Sequence, residues 1–324
     1  MAFDGKTSSP TVIIFGPTGG VGSAAARAAN EHGAKVVLAM RDPEKAIPGL
    51  SPEQEREGGF ERVYADLTKP ETVHAAVTKT GASRAFIYLI FRTSDHMKSS
   101  LVALKSAGIG FVGFLSSITV PDDLNDLSPG NFIPWGHGQV EIALDQVFGT
   151  DNFIAFRPGF FDSNALRWKE MAQKGDIKIA YPEAQFDWIS PDDIGRVCGA
   201  ILAKDFRGHD GNALPGSIRL CGPELMSQHA AATTIVTVLG KDIKITELDE
   251  QGGVESFMET AHLPEPAARH MVNMLKDRVQ SGFSDPNYEG SRYEEAVANI
   301  QKYGGRPPTT FSQWVSENRV AFGG

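Results

Sequence analysis

The sequence predicts an α/β fold: a Rossmann-type, doubly wound parallel sheet with a smaller α/β C-terminal lobe. Three observations carry that expectation. Short apolar runs alternate with helical patterns through the first half, the runs are apolar on both faces, and a glycine-rich turn follows the first of them. Strands buried on both faces belong to parallel sheets whose crossover helices cover each side.

The strands expected in order are "TVIIF" from Thr11, "AKVVLAM" from Ala34, "FERVYA" from Phe60, "RAFIYLI" from Arg84, "FVGFLSS" from Phe111 and "NFIAFRPG" from Asn152. The segments Val21 to His32, Pro70 to Lys79 and Asp95 to Ala107 are long enough to be crossover helices. "IPGLSPEQEREGG", Ile47 to Gly59, reads as a loop-like insertion. Beyond Pro158 the rhythm breaks, and helices over Pro191 to Leu202 and Ser227 to Leu239 mix with short strands such as "SIRLCG" and "DIKITEL". The expected organisation is a dinucleotide-binding domain over 1–160 and a mainly substrate-binding lobe over 161–324, with residues about 186–222 returning to the sheet. The stretch "PEPAARHMVNMLKDRVQSG" reads as packing surface in preference to a substrate lid.

Composition narrows the function classes. The chain has 324 residues, 41% hydrophobic and 22% charged, as an ordinary globular protein does. No apolar run approaches the roughly 18 residues that span a bilayer, so no membrane association is expected. "MAFDGKTSSP" lacks the pattern of a secretion signal and reads as a short disordered lead-in, which makes a cytoplasmic location the expectation. A net charge of −9 without a basic cluster argues against direct contact with nucleic acid. Cys198 and Cys221 read as reduced core thiols, and no spacing suggests a metal site. The oligomeric state stays open, a homodimer included.

The strongest chemical signal is "IIFGPTGGVGSAAARAA". Gly16, Gly19 and Gly22 follow a strand at three-residue spacing and open an alanine-rich helix. A tight turn, a backbone that must approach a pyrophosphate, and close packing of helix on sheet each demand a residue without Cβ. The helix N–H groups then face the phosphates. The expected cradle is Gly16, Pro17, Thr18, Gly19, Gly20, Val21 and Gly22. Arg41 stands at the tip of the second strand with Lys45 close behind, where a guanidinium suits the 2′-phosphate of NADP(H) better than the ribose of NAD. Asp66, followed by Leu67, could accept from the adenine amino group or cap the next helix. Ile90 and Phe91, ending the fourth strand, are expected beside the adenosine and ribose, while Tyr88 reads as core.

These residues resemble the NmrA-like family, an atypical branch of the short-chain dehydrogenase/reductase superfamily. The likeness rests on "GPTGGVG", "MRDPEKA", "FRPGFFDSN", "FDWISPDDIGRVCGAIL", "IRLCGPELMS" and "GGRPPTTFSQWVSEN", in the family's order over nearly the whole chain. It implies a Rossmann domain, a small C-terminal lobe and a substrate held between them. It also implies that Pro158, Gly159, Phe160 and Phe161 pass beside the nicotinamide, and that Arg157 and Asn164 are structural.

The superfamily's usual catalytic pair is a tyrosine with a lysine four residues on. Alignment on Glu141 puts Ile133 at the tyrosine and His137 at the lysine. Isoleucine cannot donate the proton that a nascent alkoxide needs. His137, with an ordinary pKa near 6.5, could donate it or hydrogen-bond the nicotinamide ribose, or it could be a structural residue of the helix start. Ser116, at the usual serine position, and Tyr181 are the further catalytic candidates; Ser117, Phe161, Trp168, Asp187 and Trp188 are the substrate-contact candidates. The function these features imply is NADPH-dependent reduction of a ketone or conjugated enone in an apolar substrate, aromatic polyketide-like molecules of specialised metabolism included. The competing function is a non-catalytic NADP(H) sensor that binds a protein partner.

Overall fold

The computed structural model of the protein describes residues 9–91, 93–204, 216–282 and 285–324. The first eight residues of the expected lead-in lie outside the described residues. In chain order the elements are β1 (Thr11–Phe15), α1 (Gly20–Glu31), β2 (Lys35–Met40), α2 (Pro52–Glu57), β3 (Glu61–Tyr64), α3 (Pro70–Thr80), β4 (Arg84–Tyr88), α4 (Lys98–Ala107), β5 (Phe111–Leu115), α5 (Phe132–Phe148) and β6 (Phe153–Pro158). They continue with α6 (Lys169–Lys174), β7 (Asp176–Ala180), β8 (Gln185–Phe186), α7 (Pro191–Ala203), β9 (Ser217–Leu220), β10 (Met226–Ser227), α8 (Gln228–Leu239), β11 (Lys244–Leu248), α9 (Glu250–Thr260), α10 (Glu265–Gln280), α11 (Gly290–Gly304) and α12 (Phe311–Glu317).

The chain divides into two compact units. One comprises residues 1–158, 191–220 and 299–306; the other comprises 159–190, 221–298 and 307–324. In the first unit a seven-stranded sheet runs in the order β3-β2-β1-β4-β5-β6-β9, and every pairing is parallel. The strand order reverses direction at β1 and β4, the switch point outside whose carboxyl ends a ligand is expected. "SIRLCG" supplies the edge strand β9, so the chain returns to the first sheet after residue 190.

Helix α1 is alanine-rich for a reason visible in its partner. A Cβ on Gly195 of α7 would lie 2.8 Å from the amide nitrogen of Ala25, and one on Gly199 would lie 2.7 Å from that of Ala29. The two helices therefore meet backbone to backbone, which only glycine facing alanine permits. This contact fixes α1, and with it the helix N-terminus beside the glycine turn.

The insertion over Ile47–Gly59 is not all loop. Ser51 and Gln54 form a reciprocal capping box around Pro52, and the pair starts the short helix α2. Glu55 of that helix binds Arg62, whose guanidinium also donates to the carbonyl of Lys45 at 3.0 Å. The ion pair thereby anchors the loop that follows β2.

The second unit has its own core, in which Trp168, Phe186, Trp188, Phe311, Trp314 and Phe322 pack together. Strands β7 and β11 pair in parallel, with Ile177 opposite Ile245.

Candidate nucleotide site

Gly16 takes a left-handed φ of +70° at the end of β1, and the Tyr88 ring packs so close that a Cβ there would meet its Cε1 at 2.6 Å. A Cβ on Gly22 would lie 2.8 Å from the carbonyl carbon of Gly16 and closer still to its oxygen. By contrast, a Cβ on Gly19 would meet nothing nearer than 3.5 Å, and Gly19 and Gly20 are exposed. Gly19 is the N-cap and supplies no side-chain cap to helix α1. Its first-turn N–H groups and the positive end of its dipole thus face open space that an anion can occupy. A dinucleotide's pyrophosphate fits this cradle, because the protein fills the glycines that pack inward and leaves the one that faces out.

Arg41 is exposed at the tip of β2, near enough for its charge to act on both Asp66 and Tyr88. Burial opposes ionisation of Asp66, but the backbone and hydroxyl donors of Thr68, then the charges of Arg41 and Lys69, hold its carboxyl below the usual range. Asp66 accepts both Thr68 bonds on Oδ1, whereas the N-cap of α3 is Lys69. Of its two expected roles, the helix cap is therefore not adopted. Leu67 is 4% exposed in the core of the first unit, and its carbonyl accepts from Ser100 Oγ at 2.7 Å. Tyr88, expected in the core, is only half-buried and stands over Gly16 among Arg41 and Asp66. Its position as the last residue of β4 was the signal that could have placed it there.

Further along the sheet edge, the amide of Ile90 donates to the sulfur of Met97 at 3.2 Å. The Phe91 ring stacks on Phe132 with centroids 4.8 Å apart, and its edge meets His137 at 6.1 Å. Both phenyl rings are exposed, so the opening of α5 presents an aromatic ledge.

His137 lies one turn beyond Ile133 on α5. Burial lowers its pKa to about 4, and its Nδ1 is buried with no hydrogen-bond partner. The ordinary pKa assumed from sequence does not apply: the ring is neutral at pH 7, and Nε2 is the nitrogen left to meet a ligand. The neutral ring matches the absence of any acidic cause for its shift.

Ser116 is corrected outright as a catalytic candidate. It is 4% exposed and donates to Glu141 Oε1 at 2.5 Å. The same carboxylate receives Arg157 Nε at 3.1 Å and Nη2 at 2.6 Å. This buried triad ties α5 to the ends of β5 and β6, so the hydroxyl proton is committed to structure. Ser117 is half-buried and shares a 2.9 Å bond with Thr119.

The remaining candidates belong to the second unit. Asp187 is fully buried, accepts from the Phe160 amide at 2.8 Å, Tyr288 hydroxyl at 2.8 Å and Gly222 amide at 3.1 Å, and abuts Gly159 so closely that a Cβ there would overlap it. Burial pushes its carboxyl up despite those donors. It is a junction of three chain segments, with no room for substrate. Trp168 and Trp188 are 2% and 1% exposed; Trp188 donates to the Met226 carbonyl at 3.0 Å and packs on Phe311 at 4.8 Å. Both are core, as is Phe186. Phe160 stacks on Phe186 at 3.9 Å, and Phe161 bridges to Ile189. Tyr181 donates to Glu250 at 2.6 Å, and its pKa is pushed up to about 12 by burial first and then by that carboxylate, which makes it a poor acid. No cluster of three or more metal-ligating side chains occurs among the described residues, and none of the helices searched is long and apolar enough to cross a membrane.

Sheet order, glycine turn and uncapped helix together define a Rossmann-type protein of the dinucleotide-binding class. The chain belongs to the NmrA-like family: over 320 residues it is 34% identical to the nitrogen metabolite regulation-like protein bik4 of Gibberella fujikuroi, an overlap of 94% of this chain and 95% of that one. Family profiles give no match. Among solved structures, the fold is shared with the NADPH-dependent quinone oxidoreductase QOR2 of Escherichia coli in complex with NADPH, at a TM-score of 0.70 and 18% identity over 95% of this chain and 99% of that one. It is shared as well with NmrA, a negative transcriptional regulator, at 0.66 and 15% over 96% and 95%.

Proposed function

We propose that the first unit binds NADP(H) and that the protein is an NADPH-dependent reductase of a conjugated, apolar acceptor, an enone or quinone-like ketone of specialised metabolism. The observation that carries the reading is the open position at Gly19 in the glycine turn, with Arg41 at the neighbouring strand tip. Gly16 to Gly22 would hold the pyrophosphate; Arg41, with Lys45 beyond it, the 2′-phosphate; and Asp66 and Tyr88 would flank the adenosine. Ile90, Phe91 and Pro158 would lie on the ribose and nicotinamide side. When bound, the reduced nicotinamide supplies a hydride.

The chain's own residues restrict the acceptor. Ile133 has no proton to give, Ser116 donates to Glu141, Tyr181 to Glu250, and His137 is uncharged. A simple ketone needs a proton as its alkoxide forms. A quinone or enone instead yields a delocalised anion, which water can protonate later. Nε2 of His137 would orient the substrate oxygen or a ribose hydroxyl, and the Phe91–Phe132 ledge would favour a planar molecule.

The test is NADPH consumption against quinones, enones and isolated ketones, with His137→Ala alongside. Turnover of the conjugated acceptors above that of the ketones supports the reading. The second reading, an NADP(H)-sensing regulator with a protein partner, is favoured by the full-length likeness to a nitrogen metabolite regulation-like protein. Tight NADPH binding with no oxidation by any acceptor, and unequal affinity for the oxidised and reduced forms, would put it first.

A further inference from the structure

The turn that leaves β2 carries Arg41 and Lys45, both exposed. Between β2 and β3 the chain forms the short helix α2 and an isolated bridge from Ile47 to Leu50. Residues 41–45 lie outside both, so the side chains that grip their backbone decide where the two cations stand.

That grip comes from β3. The Lys45 amide donates to the Asp42 carbonyl at 3.2 Å and the Glu44 amide to Asp42 Oδ1 at 3.0 Å, which closes the turn. The carbonyls of Pro43 and Lys45 then both accept from Nη1 of Arg62, the second at 3.0 Å. Along the other edge of the same guanidinium, Nε donates to Glu55 Oε2 at 2.7 Å and Nη2 to Glu55 Oε1 at 2.5 Å. Four of its five N–H donors are thus committed, and the carboxylate of Glu55, 9% exposed, balances its charge. Arg62 is built to hold the turn, not to take a phosphate itself. Helix α1 secures the rest of the segment: Arg27 Nη1 donates to the Pro48 carbonyl at 3.0 Å, and Asn30 Nδ2 to the Gly58 carbonyl at 2.8 Å. The start of the same helix faces the pyrophosphate cradle, so one element sets the position of both anion sites.

We propose, on the assignment of NADP(H) to this unit, that Glu55 and Arg62 are positioning residues for its 2′-phosphate: they order the turn that presents Arg41 and Lys45 to that group. Exposed cations bind a dianion more tightly when their backbone is settled beforehand, because a loose turn has to be ordered at the moment of binding. Arg62→Lys would not serve, since a point charge does not reproduce the planar fork that grips a carboxylate and two carbonyls at once.

NADPH and NADH differ by the 2′-phosphate alone, so fluorescence titration of the full chain with each, beside thermal denaturation, tests the clamp. Arg62→Lys and Glu55→Gln are each expected to weaken NADPH about five- to tenfold, the cost of ordering one or two side chains on binding, and to leave NADH within about twofold. The sign in Glu55→Gln separates the clamp from simple electrostatics. Removing a negative charge by itself favours an anion, whereas a loosened turn disfavours it. Should Arg62→Lys melt below the assay temperature, Glu55→Gln, which keeps the shape of the side chain, carries the test. Unchanged or tighter NADPH binding in Glu55→Gln, or wild-type NADPH affinity in Arg62→Lys, overturns the proposal. So does an equal loss for both cofactors, which would make the pair a general strut of the fold. A wild-type protein that binds NADPH and NADH alike would remove the 2′-phosphate assignment itself, and the clamp's role with it.

Discussion

Replacing Gly22 and Gly19 separately by alanine distinguishes a glycine that packs the fold from one that admits a ligand. In Gly22→Ala the new methyl would stand 2.8 Å from the Gly16 carbonyl carbon and 3.3 Å from Pro17 Cα, where ordinary contact begins at 3.4 Å. Both neighbours are backbone, so the turn itself must move. Overpacking of that kind costs about 1–3 kcal/mol. Displacing the turn would also remove at least one charge-assisted bond to pyrophosphate, of order 1.5–3 kcal/mol, which is about a ten- to hundredfold loss of affinity. Gly19→Ala meets only the Gly16 oxygen, at 3.5 Å, and Gly19 has an extended φ of −92° that alanine tolerates. Its stability should change by less than about 1 kcal/mol, while its methyl occupies the pyrophosphate's approach. The assay is NADPH fluorescence titration beside thermal denaturation. The expected pattern is weak binding in both variants and lowered melting only in Gly22→Ala. Wild-type NADPH affinity in a folded Gly19→Ala protein would refute the placement of phosphates on this loop.

Three other outcomes are expected. Arg41→Ala should reduce the preference for NADPH over NADH by roughly tenfold, about 1.4 kcal/mol, and equal preference before and after would remove Arg41 from the 2′-phosphate. Glu141→Ala takes from the buried Arg157 its bidentate carboxylate, leaving Asp122 at 3.6 Å and two carbonyls, and should cost about 3 kcal/mol in denaturant unfolding, whereas Ser116→Ala, which loses one bond, should cost about 1–2 kcal/mol; reversal of that order would contradict the triad. His137 has a folded pKa of about 4 against 6.5 unfolded, so the unfolded chain takes up its proton first as pH falls. Stability should therefore be retained above pH 6.5 and decline by up to about 3 kcal/mol on the way to pH 4, a slope that His137→Asn should reduce and that an unchanged pH profile would disprove.

The sequence by itself determined the parallel sheet, because strands apolar on both faces and crossover-length segments leave few other arrangements. It determined the glycine turn too, since a strand running into Gly16, Gly19 and Gly22 is a local pattern whose steric logic needs no distant residue. Helix α2 was equally local, its Ser51–Gln54 box being present in the insertion read as loop. What only the tertiary structure decided is which polar and aromatic side chains are free. Ser116 meets Glu141 across 25 residues and Arg157 joins them from another strand; Asp187 meets Tyr288 across 101. Such partners are invisible along the chain, yet they turn reactive-looking groups into struts. Trp168 and Trp188 went the same way, since an aromatic ring suits a core and a pocket alike and only its neighbours choose. The neutrality of His137 has the same origin: a titratable group's charge follows from its surroundings, and distant segments supply them.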